Sequence, residues 1–397
     1  MISLIYKNTI MKIRVMQKMP NKLLILFLMA LAVSCMSDYS GKTPEPLQAR
    51  LQQTKRLPLP ETSTAFTLTL KHFEEDGEEF LLWRDRENNS ILIYDLDEER
   101  LDKRIQFVEE GPGKVPSADG GFSVFGFDSI YLSTYVPGKL YQVDTAGNLQ
   151  NVIISADTSG NKMNSLSTLN SRMNSDLVKL GEKLAVPLRF PFFKANPGQG
   201  VIDSISIFSL VDLEKGLVSS SPIAIPAKVY NESDLPLPRA MGLTAGNGYA
   251  YFCFECDPNI YFTKDFKTFS THETRSEYHE ECRPITKGAP FERVAKSFMY
   301  RGLYYDEYRN RFYRVAKLPT MEEVDNYREE GNFPSRFSVI ILDENLNILD
   351  EILFSGSEYS MLHCFVGEAG FYLMRSPYNP DYEEDYLTFD AFTFEQV

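Results

Sequence analysis

An all-β chain is predicted, folded as a six-bladed β-propeller of four-stranded antiparallel blades. Three observations predict it. First, short alternating apolar runs dominate while helical periodicity is scarce. The runs include Phe80 to Trp83, Ser90 to Tyr94, Ser129 to Ser133, Ser204 to Phe208, Tyr249 to Cys253 and Phe337 to Ile341. Second, aromatic residues make up 13% of the chain, chiefly Phe and Tyr, which favour pleated, half-buried surfaces. Third, an apolar strand ending in aspartate recurs at Asp95, Asp144, Asp212, Asp265, Asp343 and Asp390. Aspartate accepts hydrogen bonds from the backbone two residues on, so the chain reverses there. Successive aspartates lie 47 to 78 residues apart, and four strands with their turns need roughly 40–50 residues, the period of a propeller blade. The longest intervals would carry insertions. A pair of β-sandwiches is the alternative arrangement of the same strands.

The first 34 residues hold Lys7, Lys12, Arg14, Lys18 and Lys22 and no acidic residue. An apolar run from Leu23 to Val33 follows and ends at Ala32-Val33-Ser34-Cys35. A basic start, a short apolar stretch and small residues before a cut describe an export signal. The run falls short of the roughly 20 residues that a spanning helix needs. Met11, Met16 and Met19 offer alternative starts. Residues 1–34 are therefore read as the leader, 35–60 as a polar, proline-bearing tether and 61–397 as the propeller. A flexible stretch of about 15 residues spans roughly 20 Å. A strand within Lys55–Leu70 would pair beside Tyr386–Phe394 and close the ring.

The cysteine after Ala-Val-Ser resembles the lipobox of bacterial lipoproteins. That resemblance implies acylation of Cys35, an N-terminal membrane anchor and residence in the bacterial envelope, most naturally the outer membrane. An ordinary signal peptide with an incidental cysteine is the alternative. Losing the leader's five basic residues from a total of 41, against 55 acidic ones, takes the formal charge from −14 to −19. A surface of that sign repels phosphate backbones, which excludes nucleic acid as a partner.

A second resemblance rests on Glu110-Gly111-Pro112-Gly113-Lys114 ahead of Gly121 to Leu132, with its Asp128-Ser129-Ile130-Tyr131. Together with the leader and the tether, these residues resemble the six-bladed propeller lipoproteins of uncharacterised function found in Bacteroidota. The resemblance covers residues 45–397. It implies fold and location, and it carries no catalytic residue. The Gly-Pro-Gly segment lacks the spacing and following helix of a phosphate loop, so it reads as a tight turn between blades.

Chemistry-bearing residues are sparse. Cys253, Cys256, His279 and Cys282 have a spacing compatible with tetrahedral zinc. Cys253 and Cys256 nevertheless point to opposite faces if they share a strand. A disulfide, for instance Cys256 with Cys282, or unpaired thiols satisfy the same residues. The acidic stretches Glu74 to Glu79 and Asp381 to Asp385 lack the alternating ligands of a calcium loop and read as solvated turns. No cofactor is expected. Thr320-Met321-Glu322-Glu323 forms a capping box, predicting a short helix near 321–330 that Gly331 and Pro334 stop.

In a propeller, the loops between second and third strands emerge on the same face as the connections between blades. That face is predicted to gather Trp83, Arg84, Tyr135, Arg189, Phe190, Arg314, Lys317, Arg375 and Tyr378 around one end of the channel. Guanidinium groups and aromatic faces there would suit an anionic or glycan-like ligand; ordinary strand ends are the structural alternative. The expected function is a binding or interaction module for a glycan, a peptide or an envelope protein. The alternative is a metal-dependent propeller enzyme, of lactonase or sugar-lyase type, with carboxylates converging on the channel.

Overall fold

The computed structural model describes residues 45–107, 110–111, 114–115, 121–133, 139–154, 165–166, 174–189, 206–226, 229, 241–281, 295–320 and 335–396. Almost no helix occurs among them, and none is long and apolar enough to cross a membrane. The expected helix near 321–330, and the strand expected from Ser204 up to residue 205, lie outside the described residues.

A first strand, β1 (Leu47–Pro58), precedes the blades. Blade 1 is β2 (Leu70–Glu75), β3 (Glu78–Asp85), β4 (Ser90–Asp95) and β5 (Arg100–Gln106). Blade 2 is β6 (Phe122–Val124), β7 (Ile130–Ser133), β8 (Lys139–Val143) and β9 (Leu149–Ile154). Blade 3 puts two short pieces, β10 (Ser165–Leu166) and β11 (Val178–Leu180), along one side of β12 (Lys183–Arg189), followed by β13 (Phe208–Asp212) and β14 (Val218–Ser220). Blade 4 is β15 (Met241–Gly246), β16 (Tyr249–Phe254), β17 (Asn259–Thr263) and β18 (Ser270–Glu273). Blade 5 is β19 (Met299–Asp306), β20 (Arg311–Lys317), β21 (Phe337–Leu342) and β22 (Ile348–Phe354). Blade 6 is β23 (Tyr359–Gly367), β24 (Gly370–Arg375) and β25 (Tyr386–Gln396), completed by β1. These are the six antiparallel sheets of a six-bladed propeller.

Each blade buries both faces of its middle strands, so alternate side chains serve different neighbours. In β3, Leu81 and Trp83 pack toward blade 6, whereas Phe80 and Leu82 pack toward blade 2. Six apolar clusters result, one at each junction between consecutive blades and one between blades 6 and 1. The first strands of the blades neighbour one another around the ring, and Ser175 bridges in parallel to Leu243. The last strands are largely exposed, as in β5, β14 and β18. First strands are thus innermost and last strands form the rim.

The recurrent aspartates do what their spacing predicts in five blades. Asp95 accepts from the Glu98 amide at 2.9 Å, Asp212 from Lys215 at 2.9 Å and Asp265 from Lys267 at 2.8 Å. Asp144 accepts from Ala146 and Asn148, and Asp343 from Asn345 and Asn347. Each turn includes one residue in the left-handed region: Glu99, Gly147, Gly216, Phe266 or Leu346. Gly147 is needed for a second reason, since a Cβ there would meet the Gln106 carbonyl at 2.6 Å. The Gly111 carbonyl accepts from the Lys114 amide at 3.2 Å, a turn in the connection between blades 1 and 2.

Two expectations are corrected. Asp390 does not end a hairpin. It lies within β25, because the neighbouring outer strand of blade 6 is β1, drawn from the other end of the chain. The assignment of residues 35–60 to a tether also ran too far. Residues 47–58 pair with β25 from Leu47 opposite Gln396 to Pro58 opposite Tyr386, with an irregularity between Leu51 and Gln53. The closing strand expected beside Tyr386–Phe394 is thus present, but it lies at Leu47–Pro58 rather than within Lys55–Leu70, because an outer strand faces solvent and its polar residues read as tether.

Candidate functional site

On the face of the second-to-third strand loops, side chains expected to form an open ring mostly brace the fold. Trp83 is fully buried between blades 6 and 1, its ring 5.5 Å from His363. Arg84 donates to the Asp85 and Ser90 carbonyls at 2.9 and 2.6 Å and to Asn89 Oδ1 at 2.7 Å, holding its own turn. Arg314 is completely buried and reaches from blade 5 into blade 4. It donates to the Pro258 carbonyl at 2.6 Å, the Asp257 carbonyl at 2.7 Å and Thr274 Oγ1 at 2.6 Å. Its guanidinium lies 3.4 Å from the Tyr300 ring centroid.

Lys317 donates to the carbonyls of Ala295, Leu318 and Ser297, and burial, with Arg301 nearby, pushes its pKa down to about 7. Arg375 grips Asp390 through Nε and Nη2 at 3.0 and 3.2 Å, and that carboxylate also accepts from Tyr359. Tyr378 is 53% exposed. Arg189 ends β12 opposite Ser165, its side chain lying outside the described residues, as do Tyr135 and Phe190. Cys35 also lies outside them.

Of the four residues with metal-ligand spacing, the three described ones, Cys253, Cys256 and His279, form no metal-binding group. Cys253 is buried at the junction of blades 4 and 5, where burial raises its thiol pKa. Cys256, in the following turn, is disulfide-bonded. The His279 ring stacks on Tyr300, and burial first, then Arg275 and Arg314, holds its pKa low. Cys282 lies outside the described residues. Among those residues no group of three or more His, Cys, Asp or Glu side chains is placed to hold a metal ion.

The inner strands converge on a different site. Along the ring axis lies a cavity of about 160 Å³, lined by Lys71, His72, Asn174, Asp176, Thr244 and Tyr304 among others. The wall draws on the innermost segments of blades 1, 3, 4, 5 and 6, and Glu307 and Tyr308 stand at its mouth. Lys71 is only 5% exposed, and its ammonium lies 2.9 Å from Asp176 Oδ2. Asp176 Oδ1 accepts from Ser123 of blade 2 and from the Leu177 amide. One ion pair with its supporting hydroxyl therefore ties blades 1, 2 and 3 together.

Beside it, His72 Nε2 contacts Glu79 Oε1 at 2.8 Å while its ring stacks on Phe365. The same carboxylate accepts from the Glu368 amide at 2.8 Å. Burial alone would raise the Glu79 pKa, but the bonds from His72 and Glu368 outweigh it and leave the group lowered. Across the mouth, Tyr308 of blade 5 donates to Glu74 of blade 1 at 2.9 Å, and Tyr305 donates to Asn247 at 2.6 Å. The acidic stretch at Glu74 is the tight turn of blade 1, with Asp76 and Gly77 both at positive φ.

Sequence reasoning missed this site because its members come from five blades, far apart in the sequence. One signal was present. Lys71 follows Leu68-Thr69-Leu70, a cation inside an apolar alternation, and such residues are seldom buried without a purpose.

No curated protein matches the chain in sequence. Among solved structures, a member of the DUF4221 family from Bacteroides vulgatus superposes with a TM-score of 0.77 at 20% identity, covering 89% of this chain and 100% of that one. A Bacteroides fragilis protein, named as a candidate exported protein, superposes at 0.51 with 10% identity, covering 90% and 98%. Both likenesses concern the fold. Residues 57–353, more than half of the sequence, match the family described as a domain of unknown function, DUF4221, and the chain belongs to that family.

Proposed function

We propose that this protein is an exported propeller, held to the bacterial envelope through acylated Cys35, that binds a small ligand in its axial cavity. The observation that carries the binding part is the polar cavity at the centre of the ring. Its wall mixes a buried cation, a carboxylate, an amide, a hydroxyl and phenols contributed by separate blades. Convergent polar groups in a rigid concavity are how small-molecule sites are built, since ring closure fixes each group before the ligand arrives. The export part is supported by the basic and apolar leader ending at Cys35. Two or three acyl chains anchor stably where a single one is marginal. The glycan, peptide or protein partner expected from the sequence would then be met at the mouth between Glu307 and Tyr308, while the exposed Tyr378 offers a second contact on the opposite face.

Soaking crystals of the full propeller with a library of small polar fragments tests the binding part. Fragments should collect between Lys71 and Tyr308; hits confined to the rim or the opposite face would refute the reading. Cys35→Ala tests the anchor. The variant should move from the membrane pellet to the soluble fraction of cells, and an unchanged pellet would remove the lipid from the proposal.

A further inference from the structure

We infer that β22, the outer strand of blade 5, lies against the membrane that anchors the chain, its apolar side chains set at the headgroup level of a bilayer with electrically neutral headgroups. This rests on acylation of Cys35 in the reading above and adds the face that the anchored ring turns to the lipid.

Outer strands at the rim of a propeller face water, and those of blades 1, 3 and 4 are built accordingly. β5 exposes Arg100, Asp102, Lys103 and Gln106, β14 exposes Ser219 and Ser220, and β18 exposes Ser270, Thr271 and Glu273. β22 occupies the same place with a different surface. Ile348, Leu349 and Leu353 are each 40–44% exposed. Two of them are consecutive, which plain alternation along a strand would not expose together. The register explains it. Ile341 pairs with Asp350 and Leu342 with Ile348, so Leu349 is the extra residue of a bulge. On β1, the outer strand of neighbouring blade 6, Leu51 is 55% exposed. Four of the ten large apolar side chains exposed among the described residues thus sit on one pair of neighbouring outer strands, a clustering that marks an interaction surface.

The charges of these strands do not oppose burial there. Asp350 accepts from the amides of Leu47 and Glu351. Glu351 accepts from the hydroxyls of Ser276 and Ser338 and from the Glu277 amide. Both carboxylates of β22 are therefore engaged, and Arg50 of β1 pairs with Glu395 at 3.4 Å.

The course of the chain names the occupant. Because the Leu47 amide bonds Asp350, the connection from the anchor enters the ring beside β22. Leu47 is twelve residues beyond Cys35. Such a connection reaches at most roughly 40 Å, and as a flexible coil spans about 20 Å. Acyl chains on Cys35 therefore keep this rim, rather than the blades across the ring, close to the bilayer. The formal charge of −19 that remains without the leader disfavours anionic headgroups and leaves neutral ones. Depth is bounded as well. β22 pairs on one side only, and its open backbone edge needs water, so side chains alone pass the headgroups.

The test uses the acylated protein purified from membranes and reconstituted into phosphatidylcholine vesicles that carry nitroxide quenchers at shallow or deep acyl positions. The chain's one tryptophan, Trp83, is fully buried and gives a constant background. Leu353→Trp should be quenched severalfold more than Val152→Trp, whose residue is exposed on β9 of blade 2, across the ring. Shallow quenchers should outdo deep ones, and adding phosphatidylglycerol should weaken the effect. Replacing Ile348 and Leu349 by Ser in the Leu353→Trp protein should cut the quenching about twofold, with thermal unfolding unchanged. Equal quenching at positions 353 and 152 would overturn the inference and leave the anchor standing, since the ring would then turn freely on its tether. Emission from Leu353→Trp that is shifted to the blue yet unquenched would assign the strand to a second copy of the chain and overturn it too. Stronger quenching with phosphatidylglycerol would overturn the preference for neutral headgroups. An unmodified Cys35 in mass spectrometry of the purified protein would end the anchor reading and the inference with it.

Discussion

At the scale of single residues, the molecule spends its cations on itself. Arg314 is the clearest case. Its guanidinium satisfies two carbonyls and a hydroxyl of blade 4 and lies against Tyr300, so it joins two blades that also meet through the Arg301–Glu255 ion pair and apolar contacts. Arg314→Met should destabilise the protein by about 3–5 kcal/mol, since the carbonyls stay buried without donors. Urea unfolding would measure this, and a loss below about 1 kcal/mol would mean that water replaces the guanidinium. Glu79 makes a prediction about acid. Its folded pKa is lowered, whereas in the unfolded chain a glutamate titrates near about 4.3. Its contribution is thus complete above the unfolded value and is lost as pH falls through the lowered folded value. Glu79→Gln should therefore lower the urea midpoint at pH 6 and narrow its gap to wild type as pH falls below about 4.

At the scale of elements, the third-to-fourth strand turn is the repeating device. A carboxylate at the strand end collects backbone amides from the turn, and the bonds lower the pKa of Asp343 against the opposing effect of burial. Asp343→Ala should cost about 1 kcal/mol, the usual worth of such a bond set at a partly exposed turn. Gly147→Ala should cost more, about 2 kcal/mol or above. It forces a left-handed residue to carry a Cβ that also collides with the Gln106 carbonyl of the neighbouring blade. Thermal unfolding of both variants would rank them; the reverse order would mean that the turn is held by the neighbouring strands rather than by its own geometry.

At the scale of the whole molecule, closure decides stability. Five blades are built from consecutive strands, whereas blade 6 takes its outer strand from the start of the propeller. The register from Leu47 to Pro58 hides β25, whose Leu387, Phe389 and Phe394 are buried. Deleting residues 47–58 should leave that edge open and abolish the single cooperative transition expected of a closed ring. Calorimetry would show a broadened or split transition accompanied by aggregation. A sharp, unshifted one would show that β1 merely decorates the rim.

Much of the architecture was legible because blade building is local. Continuous apolar runs such as Phe80 to Trp83 report burial on both faces, and aspartates such as Asp144 and Asp343 mark where the chain turns. Both signals depend only on residues near in sequence. The closing strand was expected, but its start at Leu47 was not, because one exposed face removes the apolar alternation, and Asp390 misled because its role depends on which chain end supplies the next strand. The axial cavity was invisible for a related reason. Lys71, Asp176, Thr244 and Tyr308 are ordinary residues in their own strands and turns, and ring closure alone makes them neighbours. The sequence by itself determined the strands, their turns and the number of blades, since hydrophobic period and turn chemistry are short-range. Only the tertiary structure decided which side chains face the axis and which of the cations are already engaged, because both follow from contacts between strands up to hundreds of residues apart.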